Sequence, residues 1–158
     1  MRAAAGRLSR CKNRSEVKPI PDAVKSYIAE ASVLRLATVP ASGDPHIIPV
    51  CPAFDGDSTV FVDVAVDGVT AMAIAGNPSV TVIIDEYDDD WSKLKAVIMR
   101  CRAEPLADQE LQAAWELFRA RYPQGKAVGW EPRLTLGLRI RSWTEWGITH
   151  ILGYEAAE

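Results

Sequence analysis

The spacing of its β-rich runs constrains this chain more than any other feature. "VLRLATV" (33–39) leads through the turn-forming "PASGDP" into "HIIPVCPAF" (46–54). The tight "DGD" at 55–57 then opens onto "TVFVDVAV" (59–66). Further on, "VTVIID" (80–85) and "KAVIMRCRA" (95–103) flank one short acidic stretch. Parallel neighbours need a crossover of about a dozen residues or more, so connections this short force antiparallel pairing. A sixth run, "RLTLGLRIRSW" (133–143), puts Leu134, Leu136, Leu138 and Ile140 at alternate positions and predicts a half-buried strand. Six antiparallel strands in one domain close most easily into a small barrel, which removes exposed edges. The expected fold is mainly β with short helices.

Within the second run, Pro49 and Pro52 remove two backbone donors and mark an edge strand or a bulge. Helical spacing is found at "IPDAVKSYIAEAS", where Val24, Tyr27, Ile28 and Ala31 share a face and Asp22 is the expected N-cap. "DGVTAMAIAGNPS" predicts one or two helical turns stopped by Gly76 and Pro78. The clearest helix is "ADQELQAAWELFRARYP". Leu111, Ala114, Trp115, Phe118 and Tyr122 line one face, with Asp108 the expected N-cap and Pro123 the stop.

At 158 residues the chain has room for one domain with an ordinary core. Residues 1–18 hold Arg2, Arg7, Arg10, Lys12, Arg14 and Lys18 against the single acid Glu16. The expected division is a basic tail, 1–18, and one domain, 19–158. With a net charge of −3, the body is acidic and does not suit a nucleic-acid partner. The tail reads as a solvated segment, an organelle-targeting peptide or an over-extended start. No apolar run nears the ~20 residues of a membrane span, so no membrane partner is expected. Cys11, Cys51 and Cys101 are odd in number and widely spaced. They form no CxxC pair, which points to a reducing cytoplasm.

The acidic stretch "IIDEYDDDWSKL" crowds Asp85, Glu86, Asp88, Asp89 and Asp90 into six positions. Acids in one hairpin bend point outward rather than converge, and the spacing is not that of a calcium loop. A solvated turn is expected, with no metal site. Trp91 follows directly; its large ring is expected to lie over the core, a partner subunit or a ring-shaped ligand. His46 and His150 are far apart, no GxSxG, GxGxxG or P-loop occurs, and Cys51 reads as a small core residue. No catalytic residue is assigned.

The ordered series "RLATVPASGDPHIIPVCPAFDGD", "NPSVTVIID", "YDDDWSKL" and "RYP" resembles the pyridoxamine-phosphate-oxidase-like split-barrel proteins. Within them it is similar to the subgroup thought to use the deazaflavin coenzyme F-420. The resemblance implies a six-stranded split β-barrel that forms a homodimer, with FMN or F-420 in a groove between subunits. It implies that Pro49, Val50 and Cys51 run beside the cofactor ring. Val64, Gly68 and Thr70 would approach its phosphate, and Trp91 would lie near the cofactor or the dimer contact. The implied activity is oxidoreduction by hydride transfer to or from a small-molecule substrate, with the chemistry carried by the cofactor.

The chain departs from that pattern where phosphate would bind. The family commonly carries a basic or hydroxyl residue at the position of Gly68 and a lysine at that of Thr70, but 67–79 contains no Lys or Arg. Each lost charge-assisted hydrogen bond costs about 1.5–3 kcal/mol. This motivates an alternative: a non-catalytic relative that binds another ligand, or haem through His46 or His150, or that serves as a dimeric scaffold.

Overall fold

The structure, a computed structural model, describes residues 17–126 and 133–150. The basic segment 1–18 therefore lies outside the described residues except for Val17 and Lys18.

Helix α1 (Asp22–Glu30) precedes β1 (Leu34–Thr38), β2 (His46–Val50), β3 (Ala53–Phe54) and β4 (Thr59–Ala65). Helix α2 (Val69–Gly76) leads to β5 (Ser79–Glu86) and β6 (Lys95–Pro105), then α3 (Asp108–Arg121) and β7 (Arg133–Trp146). The strands form one antiparallel sheet in the order β2-β1-β5-β6-β7-β4-β3. The fold is mainly β with short helices, an open, curled sheet of the split-barrel kind.

The run 46–54, expected as one strand, is divided. Its first part pairs with β1 and its second with β4, at opposite ends of the strand order. Only Cys51 and Pro52 separate the two parts. A flat sheet of this order would hold its edges about 29 Å apart, at ~4.8 Å per strand spacing. Three peptide units span at most about 11 Å. The sheet must therefore curl until its edges nearly meet at 51–52. Proline lacks the amide that would continue a ladder, so the opening falls where Pro52 sits. The six β-rich runs thus give seven hydrogen-bonded strands.

Alternation fills the interior. Leu34 and Leu36, Val60 and Val62, Val82, Val97 and Met99, and Leu136 and Leu138 are all fully buried. Val24 and Ile28 of α1 plug the same core. Trp143 stands at its margin, its indole N–H donating to the Lys18 carbonyl at 2.9 Å while the Lys18 ammonium lies 4.6 Å from the ring centroid. Strand β7 is buried on both faces in its middle, not half-buried as alternation alone predicts. Gly137 backs directly onto Leu106, where a Cβ would come within 2.9 Å of the leucine side chain.

Neither expected N-cap acts as one. Asp22 and Asp108 are the first helical residues, preceded by Pro21 and Ala107, and neither helix has a side-chain cap. In that first turn, each carboxylate still faces the positive end of its helix dipole.

The acidic stretch is a bend between β5 and β6. Asp88 accepts from the Asp90 amide, Asp90 accepts from the Ser92 amide and hydroxyl, and Lys93 sits 3.4 Å from Asp90. These acids are occupied in shaping the turn.

Candidate functional site

The crossover at 51–52 and the face of α3 enclose a cavity of about 570 Å³, within the ~300–1,000 Å³ usual for small-molecule sites. Val33, Pro49, Val50 and Cys51 form the wall on the strand side. Trp115, Phe118, Arg119 and Tyr122 form the wall from α3. Asp63 of β4 and Arg133 of β7 complete it.

The α3 wall follows from how little of that helix is buried. Of its 14 residues only Ala114 is fully enclosed; it packs with Ala53, Phe61 and Leu106, aided by Leu111 and Phe118. The five-residue face read from the sequence is therefore part core and part cavity wall. A small residue at 114 lets the helix approach β3 closely. The larger side chains beside it stand off the sheet and leave the void.

Polar contacts fix this wall. The Trp115 indole N–H donates to Thr135 Oγ1 at 3.2 Å, with the Arg119 guanidinium 5.9 Å from the Trp115 ring centroid. At the end of α3, the Tyr122 hydroxyl donates to the Pro52 carbonyl at 2.8 Å. Arg121 donates to that hydroxyl at 3.0 Å and to the carbonyls of Glu30 and Ala31 at 2.7 and 2.6 Å. One arginine thus satisfies the exposed C-terminal carbonyls of α1 while orienting the tyrosine that holds the crossover. Burial pushes the Tyr122 phenol up, and Arg121 opposes this in part.

Asp63 is unusual among the described residues. Its Oδ1 is shut off from water and has no hydrogen-bond partner. Arg133 donates instead to the Asp63 backbone carbonyl, at 3.1 Å. The cavity is otherwise largely apolar, so this oxygen lies in a low-dielectric wall.

Of the seven residues singled out in the sequence, Pro49, Val50 and Cys51 come together in this cavity. The others lie elsewhere. Val64 and Thr70 are 3% and 4% exposed, within the packed interior. Gly68 is the residue before α2. Trp91, 61% exposed, lies in the β5–β6 bend. The sequence reading missed Asp63, Arg119 and Arg133, and placed Trp115, Phe118 and Tyr122 on one helix face without assigning them to a site. A Trp and an Arg four apart on one helix were the available signal. Asp63 gave a weaker one, as the lone acid within an otherwise apolar strand.

The curled sheet and the crossover define a split-barrel protein, with a cavity of small-molecule size beside the crossover. Residues 20–147 match the family profile for pyridoxamine 5'-phosphate oxidase, and the chain belongs to that family. No curated protein matches it significantly. Solved structures share the fold. Atu2129, a protein of unknown function from Agrobacterium tumefaciens, superposes with a TM-score of 0.68 at 22% identity, covering 77% of this chain and 53% of that one. A heme-binding protein from Mycobacterium smegmatis gives 0.67 at 20% identity, with 89% and 57% covered. An FAD-binding protein from Mesorhizobium loti gives 0.60 at 21% identity, with 76% and 87% covered. The chain spans a little over half the length of the first two.

Proposed function

We propose that this protein is a flavin- or deazaflavin-dependent oxidoreductase whose cofactor ring sits in the cavity between the 49–51 segment and α3. The observation that carries this is the cavity itself. A largely apolar cavity with an aromatic wall is bounded by the three residues that the family resemblance puts beside the ring. The residues fit such a group: Trp115, Phe118 and Tyr122 offer aromatic rings for stacking, and Val50 and Cys51 line the strand side. Helix α2 has no basic residue, and Arg119 and Arg133 supply the positive charge at the cavity instead.

When bound, the cofactor supplies hydride transfer to or from a small substrate. The chain's part is to exclude water, stack and orient the ring, and hold its anionic substituent. No side-chain acid or base is required for that step.

Homodimerisation belongs to the same reading. Pro49 begins a cross-strand row, Pro49–Arg35–Ile83–Ile98, that runs from the cavity across the outer face of the sheet. Beside it, Ile47 is 60% exposed. A second copy on this face would extend the cavity wall and cover Ile47.

The bare α2 favours one alternative, a relative that has given up flavin and binds another ligand. Neither His46 nor His150 lines the cavity, so a haem reading gains no imidazole there. The purified protein is titrated with FMN, F-420 and haemin, read by flavin or deazaflavin fluorescence and by the haem absorption band. Micromolar binding of FMN or F-420 supports the oxidoreductase; binding of haemin alone, or of none of the three by a stable dimer, favours the alternative.

A further inference from the structure

Most arginines of this chain are engaged by the fold. Arg35, Arg102 and Arg139 pair with Asp85, Glu104 and Glu110. Arg121 and Arg133 donate to backbone carbonyls, and Arg119 lies over Trp115. Among the described arginines, Arg100 and Arg141 alone have no acid, carbonyl or ring partner within the described residues.

These two are neighbours. Arg100 is opposite Ser142 while Cys101 is opposite Ile140, so Arg141 is the extra residue of a β-bulge on β7. Ile140 and Trp143, three positions apart, are both buried. Regular alternation would set them on opposite faces of the sheet. The bulge lets both meet the core and turns Arg141 and Ser142 outward, where Arg100 is also exposed. On the other side of β6, Thr81 is opposite Arg100. The row Thr81–Arg100–Ser142, with Arg141 beside it, thus holds two guanidinium forks and two hydroxyls and no acid. On this face of β5 and β6 the acids are Asp85 and Glu104, already paired and each about 13 Å along its strand from the row, at ~3.3 Å per residue. Like charges side by side on adjoining strands repel, so this unneutralised pair costs stability in a body that is acidic overall.

We propose that this row is a binding site for a phosphate dianion carried on a small molecule. Facing Cα atoms on paired strands are about 4.5–5.5 Å apart, so both guanidiniums reach one phosphate, with the flanking hydroxyls as further donors. The acidic body disfavours a polynucleotide as the source of that phosphate. None of the four residues lines the cavity beside the crossover, so the inference stands apart from the cofactor reading. The row is the next one along β5 and β6 from Ile83 and Ile98, and the pair borders the face proposed above for a second copy.

Wild-type protein, Arg100→Gln/Arg141→Gln and Arg100→Lys/Arg141→Lys are titrated calorimetrically with inorganic phosphate and with glycerol 3-phosphate at constant ionic strength. Both positions are exposed, so the variants should melt with the wild type. Wild-type protein should bind both ligands with similar affinity. The glutamine pair should bind them about a hundredfold more weakly or worse, because two charge-assisted partners are lost. The lysine pair keeps the charge without the forks and should lose about tenfold. Undiminished binding by the lysine pair overturns a built site in favour of diffuse attraction. Undiminished binding by the glutamine pair, or no binding by wild-type protein, overturns the site itself. Binding of inorganic phosphate without the ester overturns the assignment to a phosphorylated small molecule.

Discussion

The Tyr122 hydroxyl donates to the Pro52 carbonyl across 2.8 Å and 70 positions of chain, tying the end of α3 to the point where the barrel opens. Pro52 can give no amide to a ladder, so its carbonyl is held by this phenol at the seam between β2 and β3. The "RYP" segment, noted in the sequence for its resemblance, thus has a local physical task. Arg121 orients Tyr122, and Tyr122 closes the seam beside the cavity.

Replacing Tyr122 with Phe keeps the ring and removes the donor. Pro52 is buried, so its carbonyl then lacks a partner. Urea unfolding should show a loss of about 1–3 kcal/mol. A loss near zero would mean that water replaces the phenol at the seam.

Burial pushes the Cys101 thiol up to about 12 from an ordinary value near 9. The native state therefore holds this proton more tightly than the unfolded chain does. Stability from this group is complete below pH 9 and is lost as pH rises toward 12, by at most about 1.4 kcal/mol per pH unit. Cys101→Ala should flatten the decline between pH 9 and 10, measured by urea unfolding. At pH 8 a thiol reagent followed by peptide mapping should label the exposed Cys51 quickly and Cys101 only on unfolding.

Gly147 has φ +70°, and a Cβ there would fall 1.8 Å from the Leu94 carbonyl oxygen. The turn that Glu145 closes, by accepting from the Ile148 amide at 3.2 Å, depends on this residue. Gly147→Ala should destabilise by at least ~2 kcal/mol, read from the thermal or urea midpoint. The same change at Gly76, where nothing lies within 4 Å, serves as the control and should be mild.

Arg119 is exposed at the cavity rim, so its contribution should depend on the charge of the ligand. Arg119→Ala should weaken FMN binding about tenfold and riboflavin, which lacks the phosphate, hardly at all. Equal losses for both would assign Arg119 to packing on Trp115.

Much of the fold was legible because its causes are local. Short turns dictated antiparallel pairing, and alternate Leu and Ile residues marked one buried face of β7. The division of 46–54 was only half visible. Pro49 and Pro52 announced an irregularity, but the departure of β3 to the opposite edge depends on β4 and β7, far along the chain. The strand side of the cavity followed from resemblance. Its α3 side was hidden, because helical spacing shows that Trp115, Phe118 and Tyr122 share a face and not whether that face meets a core or a void. Asp63 was overlooked because an acid in a strand usually points to water, whereas here α3 covers that face of the sheet.

The most direct test of the central claim, that the space between the crossover and α3 holds the cofactor ring, is to fill it. Cys51 is exposed within the cavity and can be replaced by Trp without entering the core. Wild-type protein and Cys51→Trp are titrated with FMN and F-420 by fluorescence, with the fold checked by circular dichroism. The account predicts micromolar binding of at least one of them by wild-type protein, and loss of that binding in a variant that remains folded. Undiminished binding by folded Cys51→Trp would place the cofactor elsewhere and contradict it.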